Sequence, residues 1–216
     1  MNRYIQNILQ HPRFAETGQG NVEHLWEQTA KFIYALFFTH PVNTCQPSHV
    51  EPLLGLYRGT MSEVDRTLLS IFQLFETQRA ASVASLFSRW TASPGHNTAG
   101  TALDALRSLD SVTMFRTCLS FPRARTMSGH SRTSRDDIER HIYDPVFATL
   151  LFSQTIRRHP PETALVWVEV FRTNVVSLMI CALSAKYAEV RELALNQIAT
   201  LRTVLKVRLC LFMCSP

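Results

Sequence analysis

Histidine and cysteine carry the widest chemistry in this chain, and their spacing decides what they could do. Three histidines precede prolines: His11–Pro12, His40–Pro41 and His159–Pro160. Three imidazoles brought together would suit a metal, but each sits where a helical pattern ends. There an imidazole meets the negative end of the helix dipole and the proline stops the helix. Position accounts for all three without a metal. Cys210 and Cys214 are separated by three residues and have no His-x₃-His partner, which falls short of a zinc ligand set. His96, in Pro-Gly-His-Asn, could be paired with a cysteine only by force, because nothing supplies an oxyanion helix start or an orienting third group. The sequence contains neither GxxxxGK[ST] nor GxGxxG. The expectation is a protein that is not an enzyme, with no catalytic residue, no metal and no cofactor.

Arginine gives a stronger signal. From Asp110 to Asp136 there is no intervening acidic residue, and the window holds Arg116, Arg123, Arg125, Arg132 and Arg135. These five equal the whole net charge of +5. Ser128, Gly129, Ser131 and Ser134 lie among them, so the stretch reads as a loop from Phe121 to Thr133. Such a loop can follow a phosphate backbone without reading bases, since only Phe115 and Phe121 are near enough to stack. The same composition also fits a solvated loop whose charge aids solubility. These five arginines are the candidate RNA-binding residues.

A loop of this kind needs elements to hold it. The 216 residues are 46% hydrophobic and 18% charged, which suits one globular helical domain or a segment of a longer solenoid. The most apolar stretch, Leu165 to Ala185, contains Glu169, Arg172 and Asn174, so it reads as a buried helix rather than a membrane span. The N-terminus lacks the long apolar core of a signal peptide. Five cysteines, odd in number and mostly inside apolar helical patterns, point to reduced thiols in a cytosolic or nuclear compartment.

Helical periodicity runs through the chain, and no segment alternates with period two. A short helix is expected from Arg3 to His11. A second, capped by Asn21 and ending at His40, carries Val22, Leu25, Trp26, Thr29, Phe32, Ile33, Leu36 and Phe37. Ser48 with Glu51, Ser62 with Asp65, and Ser134 with Asp137 read as capping boxes. Helices follow at Ser82–Trp90, Ala102–Leu109 and Val112–Leu119. The clearest stretch is Ile142 to Ile198. Asp144 is its N-cap and Pro145 its first helical residue, so both are structural. Asp144 should accept from the N–H of Val146 or Phe147. After Pro160–Pro161 a long helix is expected to run to Ala182, burying Trp167, Phe171 and Leu178. A third helix presents Val190, Ala194, Ile198, Leu201 and Leu205. Arg191 on it reaches a carboxylate or helix end, or stays on the surface. The fold class is all-α, helical hairpins in a HEAT/armadillo-like arrangement. Residues 1–52 form N-terminal helices and residues 53–216 the repeat domain.

Three segments add a resemblance. Leu53 to Glu76 contains Tyr57, Arg58, Thr60, Ser62 and Asp65 in a Tyr-Arg-x-Thr-x-Ser-x-x-Asp pattern. Tyr143 to Ile156 opens Tyr-Asp-Pro-x-Phe, with Tyr143, Asp144, Pro145 and Phe147. Leu183 to Ile198 follows. In this order they resemble the C-terminal region of the large nucleolar pre-ribosomal-associated (Urb/Npa scaffold) family. The resemblance implies a non-catalytic scaffold in the nucleolus, acting early in large (60S) ribosomal subunit assembly and pre-rRNA processing. Its implied partners are pre-ribosomal RNA and assembly factors, with no small-molecule substrate and no membrane. The second reading is a HEAT-like protein-binding adaptor unrelated to ribosomes. Family members are far longer, and the ending Lys-Val-Arg-Leu-Cys-Leu-Phe-Met-Cys-Ser-Pro does not resemble their continuation. A shortened product is therefore expected, with Leu209, Leu211, Phe212 and Met213 exposed and prone to self-association.

Overall fold

Five of the described helices start at capping side chains that the sequence supplies. In the computed structural model, residues 2–11, 23–80, 82–87, 89–90, 101–127 and 141–213 are described. α1 is Asn2–Leu9, α2 Glu23–Thr39, α3 Pro41–Thr44 and α4 Val50–Leu56. α5 is Glu63–Arg79, α6 Val83–Phe87, α7 Ala102–Arg107 and α8 Ser111–Leu119. α9 is Pro145–Arg158, α10 Ala164–Arg172, α11 Val175–Ala182 and α12 Ala188–Met213. The described residues form no strand, only an isolated bridge between Thr60 and Tyr143, and the all-α expectation holds. No single described helix is long and apolar enough to cross a membrane.

Short polar side chains start these helices by accepting backbone N–H groups that the first turn leaves unpaired. Thr101 and Asp104 form a reciprocal capping box on α7, Asp110 accepts from Thr113 on α8, and Thr163 accepts from Val166 on α10. The expected Ser48–Glu51 box does not form. Pro47 begins a 3-10 turn that runs into α4, so the residue before α4 is His49, without a side-chain cap, and Glu51 pairs with Arg89 instead. The Ser134–Asp137 box lies outside the described residues.

α9 is the axle. From Pro145 to Ile156 every residue except Leu150 is buried, and α6, α7, α11 and α12 pack around it. One continuous apolar core extends from Ile5 in α1 through Phe37, Leu53 and Phe72 to Leu201 in α12. It joins residues on both sides of position 52, which itself lies inside α4. A smaller cluster of Val146, Ala182, Ala185, Val190 and Ala194 seats α12. On α12, Ile198 and Leu205 are half-buried. The side chains of Leu209, Leu211, Phe212 and Met213 lie outside the described residues.

The long helix expected from Pro161 to Ala182 is two helices. It starts after the Thr163 cap and breaks at Thr173–Asn174, bending by 56°. Asn174 takes left-handed backbone geometry, φ 62°, a conformation Asn tolerates better than most residues. The break resets the helical phase. Before it the buried line is Trp167 and Val170; after it, Val175, Leu178, Met179 and Ala182. Phe171 therefore belongs to the outer face and is 40% exposed, against the expectation of burial, while Trp167 is 5% exposed. A similar phase error affects α2, where Trp26, Ala30, Ile33 and Phe37 are buried but Leu25 and Phe32 are exposed.

The α7–α8 and α10–α11 pairs have the same plan: a Thr-Ala-Leu start, a break, and a second helix. Asn174 Nδ2 donates to the Ser111 carbonyl at 3.2 Å, and the thiols of Cys118 and Cys181 are near enough to influence each other, so that burial and the neighbouring thiol together raise the Cys118 pKa. The first contact joins the N-terminal ends of α8 and α11 and the second their C-terminal ends, so the two helices run parallel.

The reset phase gives a direct test. Trp167→Ala should cost about 3–5 kcal/mol, whereas Phe171→Ala should cost roughly 1–2 kcal/mol because much of the ring already meets water. Urea unfolding of the two variants checks the order.

Candidate nucleic-acid interface

The basic window divides as soon as it folds. Arg116, on the last turn of α8, is exposed, and so is Arg123 in the segment after it. The Arg123 carbonyl accepts from Lys186 N–H at 2.7 Å, tying this segment to the turn that follows α11. Arg125 N–H then donates to the Pro122 carbonyl at 3.0 Å, and this turn takes Arg125 inward. Arg125 is 1% exposed, which removes it from the RNA-contact set expected from sequence. Arg132 and Arg135 lie outside the described residues.

Arg125 pairs with Asp144. Its Nε donates to Oδ1 at 2.9 Å and one terminal nitrogen donates to Oδ2 at 2.6 Å, a two-point pairing of planar groups. Its other terminal nitrogen donates to the Thr126 carbonyl. Asp144 Oδ1 also accepts Val146 N–H at 2.9 Å, so the expected cap is present. Burial works against the guanidinium charge, but the adjacent carboxylate outweighs it and holds Arg125 above its ordinary pKa. Two buried ions are costly to desolvate, and pairing with full hydrogen bonding offsets that cost.

Around this pair the two sequence signatures meet. Asp144 N–H donates to the Gly59 carbonyl at 2.7 Å and Met61 N–H to the Ile142 carbonyl at 3.0 Å. Asp65 staples the approach to α5: its carboxylate accepts from Arg58 N–H at 3.0 Å, Thr60 N–H at 2.7 Å and the Thr60 hydroxyl at 2.5 Å. Ser62 accepts from Asp65 N–H at 3.2 Å, so the Ser62–Asp65 box closes on one side only. Burial pushes the Asp65 pKa up despite the three donors. Gly59 is needed here: its φ is 72°, and a Cβ would land on the Phe147 ring. Tyr57 stacks on Phe87 at 5.2 Å and meets Phe147 edge-on at 5.3 Å, while its carbonyl accepts Trp90 Nε1–H at 2.6 Å. The Tyr143 hydroxyl accepts Asp110 N–H at 3.0 Å, which positions the start of α8 and hence Arg116.

Arg191 takes the helix-end option, donating to the carbonyls of Ala185 at 2.7 Å and Lys186 at 2.8 Å just past α11. Pro145 is buried at the first position of α9. Among the described residues no group of three or more His, Cys, Asp or Glu is placed to hold a metal ion. No sequence pattern marks the Arg125–Asp144 pair. Its partners are 19 residues apart and have no spacing signature, because neither lies on a shared helix or strand.

Comparison with known proteins agrees with the motif resemblance. Nucleolar pre-ribosomal-associated protein 1 of Homo sapiens is 29% identical over 177 residues, covering 73% of this chain and 8% of that protein. Its Mus musculus counterpart is 29% identical over 174 residues, 70% of this chain and 8% of that protein. The chain is thus similar over most of its length to a region of these proteins and spans 8% of their length. No family model matches the chain, and no solved structure matches it significantly.

The buried pair predicts a pattern that a cap alone would not give. Asp144→Ala should cost about 3–5 kcal/mol, and Asp144→Asn should cost nearly as much because it leaves the Arg125 charge buried without a counter-ion. The double variant Arg125→Met/Asp144→Asn should be more stable than Asp144→Asn alone. Chemical denaturation of the three variants checks the order. By the same method Gly59→Ala should cost about 1–2 kcal/mol for the left-handed backbone and about 1–3 kcal/mol more for overpacking Phe147.

Proposed function

We propose that this chain is a non-catalytic helical scaffold of early large (60S) ribosomal subunit assembly, acting in the nucleolus during pre-rRNA processing and holding pre-ribosomal RNA and assembly factors. The observation that carries this reading is the similarity, over most of the chain, to two nucleolar pre-ribosomal-associated proteins. The all-helical architecture suits a scaffold of stacked hairpins. So does the use made of the signature residues: Tyr57, Thr60, Asp65, Tyr143 and Asp144 are committed to internal hydrogen bonds and ring contacts.

RNA contact falls to Arg116 and Arg123, with Arg132 and Arg135 completing the window. Arg125 anchors its first part rather than touching phosphate. Phe115 is exposed on α8 and Phe121 half-buried, so stacking is sparse and binding is to the backbone, weak and salt-sensitive.

Co-sedimentation tests the reading: the tagged chain should migrate with early pre-60S particles and crosslink to pre-rRNA, whereas migration with an unrelated protein complex would favour the adaptor reading. Changing Arg116, Arg123, Arg132 and Arg135 together to Gln should weaken binding to single-stranded pre-rRNA fragments. It should also reduce the salt slope by up to about 0.7 per lost phosphate contact. Nitrocellulose filter binding across a salt series measures both.

A further inference from the structure

We propose that the groove between α8 and α11 docks an acidic amphipathic helix from a partner protein. The inference goes beyond the RNA reading and does not depend on it. The two helices lie parallel and in register, with Asn174 bonded to Ser111 at one end and Cys118 against Cys181 at the other. Each turns one side to the core: Met114 and Thr117 from α8, and Val175, Leu178, Met179 and Ala182 from α11. The opposite side of α8 carries Val112, Phe115 and Leu119, which are 54%, 52% and 72% exposed. Phe115 lies four residues after Ser111 and three before Cys118, next to the seam, with Leu119 one turn further on. On α11, Ile180 adjoins Cys181 on the outer side and is 58% exposed. Phe115 and Leu119 thus form an apolar bank on α8, Ile180 with the exposed Ser177 forms a mixed one on α11, and half-buried thiols lie between them.

Charge selects the occupant. Residues 111–127 and 175–187 contain no Asp or Glu. They contain Arg116, Arg123 and Lys186, all exposed. The Lys186 N–H to Arg123 carbonyl bond sets two of these residues together beyond the C-terminal ends of both helices. The acidic residues nearest in sequence are Asp110, engaged in capping at the opposite end of α8, and Glu189, in the first turn of α12. An occupant must therefore bring apolar side chains at helical spacing for the banks and carboxylates for the cations. RNA fits less well, because four of the six exposed apolar side chains in these two windows are aliphatic, and only Phe115 and Tyr187 offer bases a ring to stack on.

The test uses the whole chain and a fluorescent synthetic helix about four turns long, with Leu on one face and Glu on the others. A twin with Lys in place of Glu and a labelled oligouridine serve as comparisons. Fluorescence anisotropy should show the acidic helix binding, with the Lys twin about tenfold weaker or worse. Phe115→Ser/Leu119→Ser should weaken binding about tenfold, and Arg123→Gln/Lys186→Gln about threefold. Both variants change exposed side chains, and circular dichroism should match the parent. Absence of binding, equal binding of the two helices, or indifference to the variants overturns the proposal. Displacement of the acidic helix by oligouridine in a manner that needs Phe115 and Leu119 would assign the groove to nucleic acid. Self-association abolished by Phe115→Ser/Leu119→Ser would assign it to a second copy of the chain.

Discussion

The fold is pinned where Arg125 meets Asp144. An arginine and an aspartate, both withdrawn from water, tolerate burial only together and only with their remaining hydrogen bonds made. That condition fixes several elements at once. Asp144 must face Arg125 while capping α9, so the start of the axle helix cannot rotate. Its backbone N–H holds Gly59, and Met61 is held by Ile142, so the turn before α5 is bound to the same point. Arg125 must come inward, which anchors the segment after α8. One electrostatic requirement thereby couples α5, α8 and α9, whose partners are distant in sequence.

Above that pin, the molecule depends on breaks as much as on helices. Asn174 in the left-handed region separates α10 from α11, and Asp110 begins α8 after α7 ends. Each break lets the second helix choose a new face for the core. The two second helices then align side by side, leaving an outer surface that carries an apolar stripe on α8 and is basic at one end. The basic window is thus divided between roles: one arginine holds the interior and two described arginines face solvent beside the exposed apolar stripe of α8.

The resemblance to nucleolar pre-ribosomal-associated proteins gains physical content from this arrangement. Two signature segments, around Tyr57–Asp65 and Tyr143–Phe147, are far apart in sequence and fit together in the fold. Their residue types follow from that fit. Gly59 accepts a positive φ under the Phe147 ring, Asp65 gathers three donors, and Asp144 serves a helix start and a guanidinium together. A signature of this kind belongs to the framework that holds a surface in place.

The sequence by itself determined the all-α class, most helix positions and the Asp144–Pro145 start of α9, while for Arg191 it left a carboxylate, a helix end and the surface open. Those features are local: a cap and a 3.6-residue period act within one or two turns, so short windows contain them. Tertiary structure alone decided that Phe171 faces out, because the phase of α10 is set by a break that Asn174 permits but does not announce. It alone decided that Arg125 is structural. A run of arginines without acidic neighbours looks uniformly solvated in sequence, and the carboxylate that draws one of them inside is the N-cap of α9, 19 residues away. Which charge is buried depends on the desolvation of both partners together, a property of their three-dimensional meeting and of neither residue's own neighbourhood.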